Sequence, residues 1–333
     1  LFRSMCSAFS LVVQAATDGA HITKTISQIE RKKGIKRTIQ YRPDGNDFVC
    51  VNGKNRYTRA LYGGITDFRI ETSDRPVFAA YKPKDSKHIC FRLQCGNQSI
   101  ALDSLKFCEA RYRAGRRTYR LTDPLLGKGE LNISVLAFPD AEGGIWRFTM
   151  KDMPEGALLH CYISEIRAKN LSRNGDMGAD RADSFDAPQL PKEQKHYKLS
   201  LDGTTAYIVV EDQELRLPAL VEGTSLYDKS EKWRSEIESS LQISTPDPYF
   251  NPLGGALAAA ADGIWDGKIW LHGAIGWRSQ LNGWRAAYIG DFIGWHDRAR
   301  THFDSYAASQ VTDVPATIPH PTQDTALHLA RSV

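Results

Sequence analysis

The chain has 333 residues, of which 41% are hydrophobic, and this length favours two domains over a single hydrophobic core. Its 43 basic and 39 acidic residues give a formal net charge of +4 without a basic stripe. Nucleic acid is therefore not an expected partner, because binding a phosphate backbone needs clustered positive charge. No membrane span is predicted.

Residues 1–16 have the features of an export signal. Arg3 precedes an apolar run from Met5 to Val13, and Val13-Gln14-Ala15 is similar to a small-residue cleavage site. The run is too short to cross a membrane. A frayed helix is the alternative. We expect residues 1–16 to lie outside the fold and the protein to be exported to the periplasm or the cell surface.

The cysteines give no indication of a metal site. Cys90 and Cys95 lack a histidine at zinc-binding spacing, so neither a metal nor another cofactor is predicted. Most of the cysteines lie in alternating strand patterns, where a thiol behaves as a small buried hydrophobe. One disulfide remains open in an oxidising compartment. The chain contains Cys6, Cys50, Cys90, Cys95, Cys108 and Cys161.

Residues 37–218 are predicted to form a large antiparallel β-sandwich. Apolar residues alternate with a period of two. Turns are expected at Pro43-Asp44-Gly45, Asn52-Gly53, Gly143-Gly144 and Asp202-Gly203, where glycine supplies a positive φ. The predicted strands are RTIQYRP, DFVCVN, RYTRALYGG, TDFRIET, PVFAAY, HICFRLQC, QSIALDS, LNISVLAF, GIWRFTM, LLHCYISEI, YKLSL and AYIVVED.

A polar stretch without any period, residues 170–195, interrupts the sandwich pattern. Its five aspartates raise the question of calcium binding. They lack the fixed glycine and the terminal glutamate of the known twelve-residue calcium loop. A solvated insertion is therefore predicted there.

After Pro218 the apolar period becomes helical. A linker helix is expected over 226–243, with Trp233, Ile237 and Leu241 on one face. Residues 244–333 are expected to begin an incomplete helical domain.

Two further helices follow in that domain. Asp247 is predicted to cap the first of them, with Pro248 in its first turn. The expected apolar stripe of this helix is Leu253, Ala256, Leu257, Ala260 and Ile264. Another helix is predicted to begin near Asp291, with its apolar face formed by Phe292, Trp295, Ala299, Phe303 and Tyr306.

Five of the seven tryptophans lie between residues 263 and 297. Gly273, Gly276 and Gly283 disfavour a regular helix there, because each glycine costs about 1 kcal/mol relative to alanine. A loop that presents rings to solvent is predicted, with a helical face packed in the core as the alternative. Exposed rings can stack on sugars, and Arg or His can donate to hydroxyls or to a uronate carboxylate. The predicted substrate-binding residues are Trp270, His272, Trp277, Arg278, Trp284 and Arg285.

Three aspartates of this segment are considered for catalysis. Glycoside hydrolysis needs two carboxyl groups across the scissile bond. Asp291 and Asp297 are the candidate catalytic residues, whereas Asp266, in a Trp-Asp-Gly turn, is expected to form that turn. The alternatives are that Asp291 caps a helix and that Asp297, within the helix, pairs with a neighbouring arginine.

Three stretches carry a resemblance to a known family. Residues 55–64 (NRYTRALYGG), 244–278 and 283–310 resemble signature blocks of a bacterial family catalogued as domain of unknown function 4450. The order of a β-sandwich, a linker helix and helices with aromatic loops is similar to six-hairpin glycosidases, whose catalytic domain is an (α/α)6 toroid. More loosely, WRAAYIGD (284–291) is similar to a segment of rhamnosidase-like toroids in which an aspartate borders the sugar site.

This resemblance implies a fold and a function. It implies a multidomain fold, β then α, in which the β-sandwich is followed by the first helices of an incomplete (α/α)6 toroid. It also implies that Arg56, Arg59 and Tyr62 reach from the sandwich into a sugar pocket; exposed strand arginines are the alternative reading.

The predicted function is the N-terminal part of an exported glycoside hydrolase acting on complex polysaccharide or its oligosaccharides. Its expected partners are a carbohydrate substrate and the remainder of its own toroid, so this stretch is not expected to turn over substrate alone. One alternative is a non-catalytic carbohydrate-binding or cell-surface module. Another is a polysaccharide lyase, which abstracts a proton with Tyr, His or Lys.

Overall fold

The computed structural model describes residues 13–14, 40–82, 86–165, 196–271 and 284–308. For residues 13–14, 165 and 284–286 only the backbone is described. In chain order the strands are β1 (Val13–Gln14), β2 (Arg42–Asp44), β3 (Asp47–Val51), β4 (Arg59–Tyr62), β5 (Arg69–Thr72), β6 (Phe78–Tyr81), β7 (Lys87–Cys95), β8 (Gln98–Ala101), β9 (Phe107–Arg113), β10 (Arg116–Thr122), β11 (Glu130–Ala137), β12 (Gly143–Lys151), β13 (Leu158–Glu165), β14 (Tyr197–Ser200), β15 (Thr205–Glu211), β16 (Glu214–Arg216) and β17 (Ile243–Ser244).

The α-helices of the described ranges follow the strands of the two large sheets. They are α1 (Leu220–Ser239), α2 (Leu253–Gly263), α3 (Trp284–Phe292) and α4 (His296–Ala308). Two short 3-10 turns, Leu102–Ser104 and Pro124–Leu126, connect strands. None of the helices in the part of the chain that the structure describes combines the length and hydropathy that a membrane span requires.

Two antiparallel sheets form the N-terminal part, which confirms the predicted β architecture. The eight-stranded sheet has the order β16-β15-β12-β11-β10-β9-β3-β2. The seven-stranded sheet has the order β14-β13-β7-β6-β5-β4, and β8 also pairs with β7. Every strand predicted from the sequence overlaps an observed strand. The helices that follow do not show a toroid, which stays a prediction.

One hydrophobic core lies between the two sheets. Phe78 and Phe91 of the seven-stranded sheet meet Trp146 and Phe148 of the eight-stranded sheet edge to face. The ring centroids are 5.7 Å apart for Phe78 and Trp146 and 5.5 Å apart for Phe91 and Phe148. Edge-to-face pairs of this kind add about 0.5–1.5 kcal/mol beyond the burial of their area. These aromatic contacts join the two sheets.

The turn predicted at Gly143-Gly144 is wrong, because both residues lie inside β12. A Cβ on Gly144 would lie 2.3 Å from a side-chain carbon of Ile70 and 2.5 Å from the Leu136 oxygen. Glycine is needed here for close packing and not for a turn.

Helix α1 packs on the outer face of the eight-stranded sheet. It begins at Leu220, earlier than the linker helix predicted over 226–243, and its buried residues are Gly223, Tyr227, Ser230 and Arg234. The Tyr227 and Ser134 hydroxyls lie 2.7 Å apart. This face of α1 is not the predicted face of Trp233, Ile237 and Leu241, because the outer sheet surface offers polar partners as well as apolar ones. Of the predicted face, Ile237 and Leu241 pack with Ala258 and Ile293 in a separate cluster.

Helix α2 begins at Leu253, and Asp247 does not cap it. The Asp247 carboxylate accepts a hydrogen bond from the Tyr249 N–H at 2.9 Å and so caps the turn before the helix. The predicted apolar stripe is also wrong, since Leu257 is exposed. The buried face consists of the small residues Gly254, Ala258, Ala261 and Gly263, together with Asp262.

The strand β1 pairs in parallel with β17. Strand β1 lies within residues 1–16, for which the export signal stays a prediction. The insertion predicted over 170–195 lies outside the described residues.

Candidate functional site

A short hairpin follows α2 near the start of residues 263–297, which we call the tryptophan segment. Trp265 and Trp270 form an antiparallel bridge. Between them Asp266 Oδ1 accepts hydrogen bonds from the backbone N–H groups of Lys268 at 2.9 Å and Ile269 at 2.7 Å. The prediction that Asp266 forms a turn is confirmed.

Trp270 is fully buried, at 0% exposure. Its indole N–H donates to the Ala261 carbonyl at 2.9 Å. The ring packs so closely on α3 that a Cβ at Gly290 would lie 2.2 Å from ring atom Cη2. The prediction of an exposed ring at Trp270 is therefore wrong. The ring fills the space between α2, α3 and α4, and its N–H finds a partner in the backbone, as buried tryptophan requires.

His302 fixes the backbone at Trp270 to α4. Its Nδ1 accepts a hydrogen bond from the Trp270 N–H at 3.0 Å. Burial lowers the pKa of His302, so the ring stays neutral and carries its proton on Nε2. His302 is thus a packing residue that holds the point where the tryptophan segment leaves the hairpin.

A partly buried ion pair that the sequence pattern does not reveal joins α2 to α4. Arg298 Nη1 donates to Asp262 Oδ1 at 2.6 Å. Burial raises the pKa of Asp262, while the hydrogen bond and positive charge of Arg298 oppose that rise. The Arg298 guanidinium also lies over the rings of Trp265, at 5.7 Å, and Trp295, at 4.6 Å. Trp265 and Trp295, which are both half-buried, therefore pack against the guanidinium of Arg298.

The helix predicted to begin near Asp291 is two helices, divided at Gly294. Gly294 has φ +93°. Its N–H donates to the Asp291 carbonyl at 3.0 Å, and the Trp295 N–H donates to the Gly290 carbonyl at 2.8 Å. These two bonds form a Schellman motif, which ends a helix at a left-handed glycine. Asp291 is therefore in the last turn of α3 and does not cap the N-terminus of a helix.

The Asp291 carboxylate lies at the surface beside an imidazole. Its Oδ1 is 2.7 Å from Nδ1 of His296, and the two side chains are 60% and 69% exposed. Tyr288, one turn before Asp291, and the adjacent Phe292 are also exposed. The Tyr288 ring lies 6.2 Å from the ring of Phe303 on α4. We call the group of Tyr288, Asp291, Phe292, His296 and Phe303 the α3–α4 surface.

Asp297 lies in the first turn of α4 and is exposed. The predicted position inside a longer helix is wrong, because α4 begins at His296. A carboxylate in a first turn complements the positive end of the helix dipole and stabilises the helix. This position gives Asp297 a structural role, and its catalytic role stays a prediction.

Several predicted site residues are not described. His272, Trp277 and Arg278 lie outside the described residues. Trp284 and Arg285 begin α3, with only their backbone described. Their predicted roles in substrate binding therefore stay predictions.

The sandwich block 55–64 reaches the helices at the end of α2. The Tyr62 ring packs on Gly263, where a Cβ would lie 2.4 Å from Cγ of the ring. Just beyond the block, Thr66 donates a hydrogen bond to the Gly263 carbonyl at 2.7 Å. Burial raises the pKa of Tyr62 to about 12, so its hydroxyl stays protonated. The block and the start of the tryptophan segment are thus brought together where the sandwich meets the helices.

Arg59 of the same block packs within the sandwich. Its guanidinium lies over the rings of Tyr41, at 5.0 Å, and Tyr112, at 5.5 Å. It also donates to the Thr58 carbonyl at 2.6 Å. Arg59 is therefore engaged at the edge of the sandwich, and its reach into a sugar pocket stays a prediction.

A buried carboxylate, Asp74, holds the chain just before β4. It accepts hydrogen bonds from the Asn55 N–H at 2.9 Å and from the Thr58 hydroxyl at 3.1 Å, and it also accepts one from Tyr41. Arg117, likewise fully buried, lies 3.9 Å away. Because so many groups fix this segment, it can support strained backbone.

The strained residue is Tyr57, a bulky residue in the left-handed region at φ +50°. Its N–H donates to the Ser73 hydroxyl at 2.9 Å, and its own hydroxyl lies 3.4 Å from Nδ1 of His88. Burial and, as the smaller cause, the positive charge of Arg56 together lower the pKa of His88 to about 4. Burial raises the pKa of Tyr57 well above its usual value. A neutral histidine and a protonated tyrosine thus face each other on the outer face of the seven-stranded sheet.

That outer face carries further buried polar groups. Arg69 and Glu71 form a buried ion pair, and the Arg69 guanidinium stacks on the Tyr81 ring at 3.6 Å. Burial also raises the pKa of the neighbouring Cys90 thiol to about 11. Buried, perturbed titratable groups are enriched at functional sites, although structural ion pairs produce them too. The sequence contained no signal for this cluster beyond the alternation of β5 and β7.

The described cysteines are free thiols. Cys50, Cys90, Cys108 and Cys161 are buried, which confirms that most of the cysteines pack as small hydrophobes. Within the described ranges, no group of three or more His, Cys, Asp or Glu side chains is arranged to hold a metal ion.

Comparison with known families bears on the sandwich. Residues 83–210 match the family described as Domain of unknown function (DUF4450). The match runs from just before β7 into β15 and supports the resemblance to this family. It lies outside the three stretches on which that resemblance was based. A comparison with curated proteins finds no match.

Proposed function

We propose that this protein is an exported glycoside hydrolase acting on polysaccharide or its oligosaccharides, with the saccharide bound where the sandwich meets the helices. The observation that carries the proposal is the hydrogen bond from Thr66 to Gly263, together with the packing of Tyr62 on Gly263. It joins the sandwich block to the start of the tryptophan segment. Ligand sites form preferentially at such domain interfaces.

The α3–α4 surface supplies chemistry suited to sugars. Aromatic rings such as Tyr288 and Phe292 offer apolar faces for the C–H groups of a sugar ring, and the Asp291 carboxylate accepts from hydroxyls. In this proposal the exposed Asp291 carboxylate, 2.7 Å from Nδ1 of His296, acts as one of the two carboxyl groups of glycoside hydrolysis. The buried ring of Trp270 supports this surface from behind and does not bind sugar in this arrangement.

The proposal is tested by hydrolysis of a panel of plant-polysaccharide oligosaccharides by the protein at its full natural length. Asp291→Asn removes the charge of the carboxylate and keeps its shape. If Asp291 is a general acid or base, turnover falls by about 10²–10⁴-fold. Asp304→Asn, at an exposed aspartate of α4, is the matched control and keeps full turnover. Full turnover in Asp291→Asn would assign that residue a structural role only.

One observation favours a second candidate, a polysaccharide lyase. Lyases abstract a proton with Tyr, His or Lys. The hydroxyl of Tyr57, a residue with strained backbone, lies 3.4 Å from Nδ1 of His88. Tyr57→Phe tests this candidate, because it removes only the hydroxyl. Unsaturated uronate products, measured by ultraviolet absorbance and lost in Tyr57→Phe, would favour the lyase over the hydrolase.

A further inference from the structure

A concave site, whose wall shares no residue with the α3–α4 surface, lies at the C-terminal end of α1. It is a cleft of about 510 Å³ between the β2–β3 hairpin, the last turns of α1 and the chain around β17. Asn46, Arg113, Ser235, Ser239, Gln242 and Ser244 contribute to its wall. This volume falls within the range of about 300–1,000 Å³ that is usual for small-molecule sites.

The charged groups of the wall compensate each other. Arg113 Nε lies 2.7 Å from Glu238 Oε1, and Arg234 Nη1 lies 2.8 Å from Glu238 Oε2. Burial raises the pKa of Glu238, but the hydrogen bonds from Arg113 and Arg234 outweigh it and hold the pKa below its usual value. The carboxylate therefore stays ionised between two guanidinium groups. A positively charged ligand would be repelled by these arginines, and a negatively charged ligand would be repelled by Glu238.

The end of α1 makes the cleft rich in hydrogen-bond acceptors. The last carbonyls of a helix carry the negative end of its dipole. In α1 the carbonyl of Glu236 accepts from the Ser239 hydroxyl and that of Ile237 accepts from the Ser240 N–H. No basic residue lies in the last turn of α1. The Ser235 and Ser239 hydroxyls donate back to helix carbonyls, at 2.8 Å to Lys232 and 2.7 Å to Glu236, so their oxygens remain as acceptors toward the cleft.

A ligand matched to this wall is neutral and donates many hydroxyl hydrogen bonds. We propose that the cleft binds a neutral oligosaccharide, at a site separate from the α3–α4 surface. The identity of the ligand as a saccharide rests on the proposed function. The amide side chain of Asn46 offers both donors and an acceptor, which is the usual means of orienting hydroxyls in a polar site.

The test is calorimetric titration of the full-length protein with xylohexaose, cellohexaose, mannohexaose and arabinohexaose, and with a galacturonate hexamer as the charged comparison. Ser239→Trp places a large side chain in the cleft from an exposed helix position. Ser225→Trp, at an exposed position of α1 outside the cleft, is the matched control. Far-ultraviolet circular dichroism and Tm establish that both variants fold.

We expect at least one neutral hexasaccharide to bind, with affinity lowered at least ten-fold in Ser239→Trp and unchanged in Ser225→Trp. Asp291→Asn should keep this binding, which separates the cleft from the proposed catalytic surface. Three results would overturn the inference: no binding of any neutral hexasaccharide, equal loss in both tryptophan variants, or preference for the galacturonate hexamer. Binding at the cleft without hydrolysis of any glycan would instead contradict the proposed function and leave the cleft assignment standing.

Discussion

The Thr66 hydroxyl donates a hydrogen bond to the backbone carbonyl of Gly263 across 2.7 Å, and the two residues are 197 positions apart in the chain. Both residues are buried, so the carbonyl has lost its contact with water. This bond anchors the end of α2 to the sandwich beside Tyr62, at the junction where the proposed saccharide site lies.

Thr66→Val should destabilise the junction. Valine keeps the shape of threonine but leaves the Gly263 carbonyl buried without this donor, which costs about 1–3 kcal/mol. Urea unfolding measures the change in the free energy of unfolding. Thr149→Val, at an exposed position of β12, is the control and should change that free energy by less than about 0.5 kcal/mol. Equal stability of the two variants would mean that the bond does not hold the junction.

Gly290→Ala should disturb the packing of α3. The new methyl group would lie 2.2 Å from Cη2 of Trp270, so helix or ring must move. Overpacking of this kind costs about 1–3 kcal/mol. Thermal unfolding followed by tryptophan fluorescence should show a lower Tm and a changed emission of the native state.

The same substitution at Gly203 is the matched control for Gly290→Ala. Nothing lies within 4 Å of a Cβ built at Gly203, so alanine should be tolerated there. A Tm for Gly290→Ala equal to that of Gly203→Ala would show that Trp270 is not held as described.

The two sheets were predictable because most strands alternate apolar and polar residues. The strands β9 and β10 were missed for a physical reason. Their outward positions include charged residues, and one inward position of β10 is Arg117, which is fully buried and bonded to the Ser73 carbonyl at 2.8 Å. A buried arginine breaks the apolar pattern that reveals a half-buried strand.

The helical part was less predictable, because small residues decide its packing. The stripe of Leu253, Ala256, Leu257, Ala260 and Ile264 is more hydrophobic than the face that α2 buries. Gly254 approaches the Leu241 carbonyl so closely that a Cβ there would lie 2.7 Å from its oxygen. The helix therefore buries the face that carries the smaller residues. Hydrophobicity alone does not reveal that selection, since glycine contributes little to an apolar pattern.

The same limit applies to the candidate site. Tryptophan-rich sequence indicated exposed rings, but Trp270 is buried by contacts with Ala261, Gly290 and His302 that lie on three different helices. Asp262 was overlooked because its partner, Arg298, is 36 residues away. Only the folded arrangement brings such partners together.

Arg298→Met should strongly destabilise the fold at neutral pH. It leaves the Asp262 carboxylate buried without its partner. Because Arg298 is itself 31% exposed, the expected cost lies below the value of about 3–5 kcal/mol for a fully buried pair. The double variant Asp262→Leu with Arg298→Met removes both charges and should recover most of that loss. Urea unfolding of the two single variants and of the double variant forms a complete cycle. A double variant no more stable than Arg298→Met alone would show that the charge of Asp262 is not the cause.

His88 should make the stability of the sandwich depend on pH. Its pKa is about 4 in the folded protein and 6.5 in the reference state, so the unfolded chain binds more protons between these values. The contribution of neutral His88 is fully present above about pH 6.5 and is lost as the pH falls toward 4. A difference of this size corresponds to about 3 kcal/mol.

The measurement is urea unfolding at several pH values between 7 and 4, with His88→Gln beside the unmodified protein. Glutamine does not titrate, so the free energy of unfolding of His88→Gln should fall less steeply over this range. His296→Gln, at the surface of α4, is the control and should keep the steep dependence of the unmodified protein. Burial also lowers the pKa of His302 and of His160, and both residues remain in each variant. The difference in pH dependence between His88→Gln and the unmodified protein therefore reports on His88 alone. Parallel slopes for His88→Gln and the unmodified protein would mean that His88 is not held neutral by the fold.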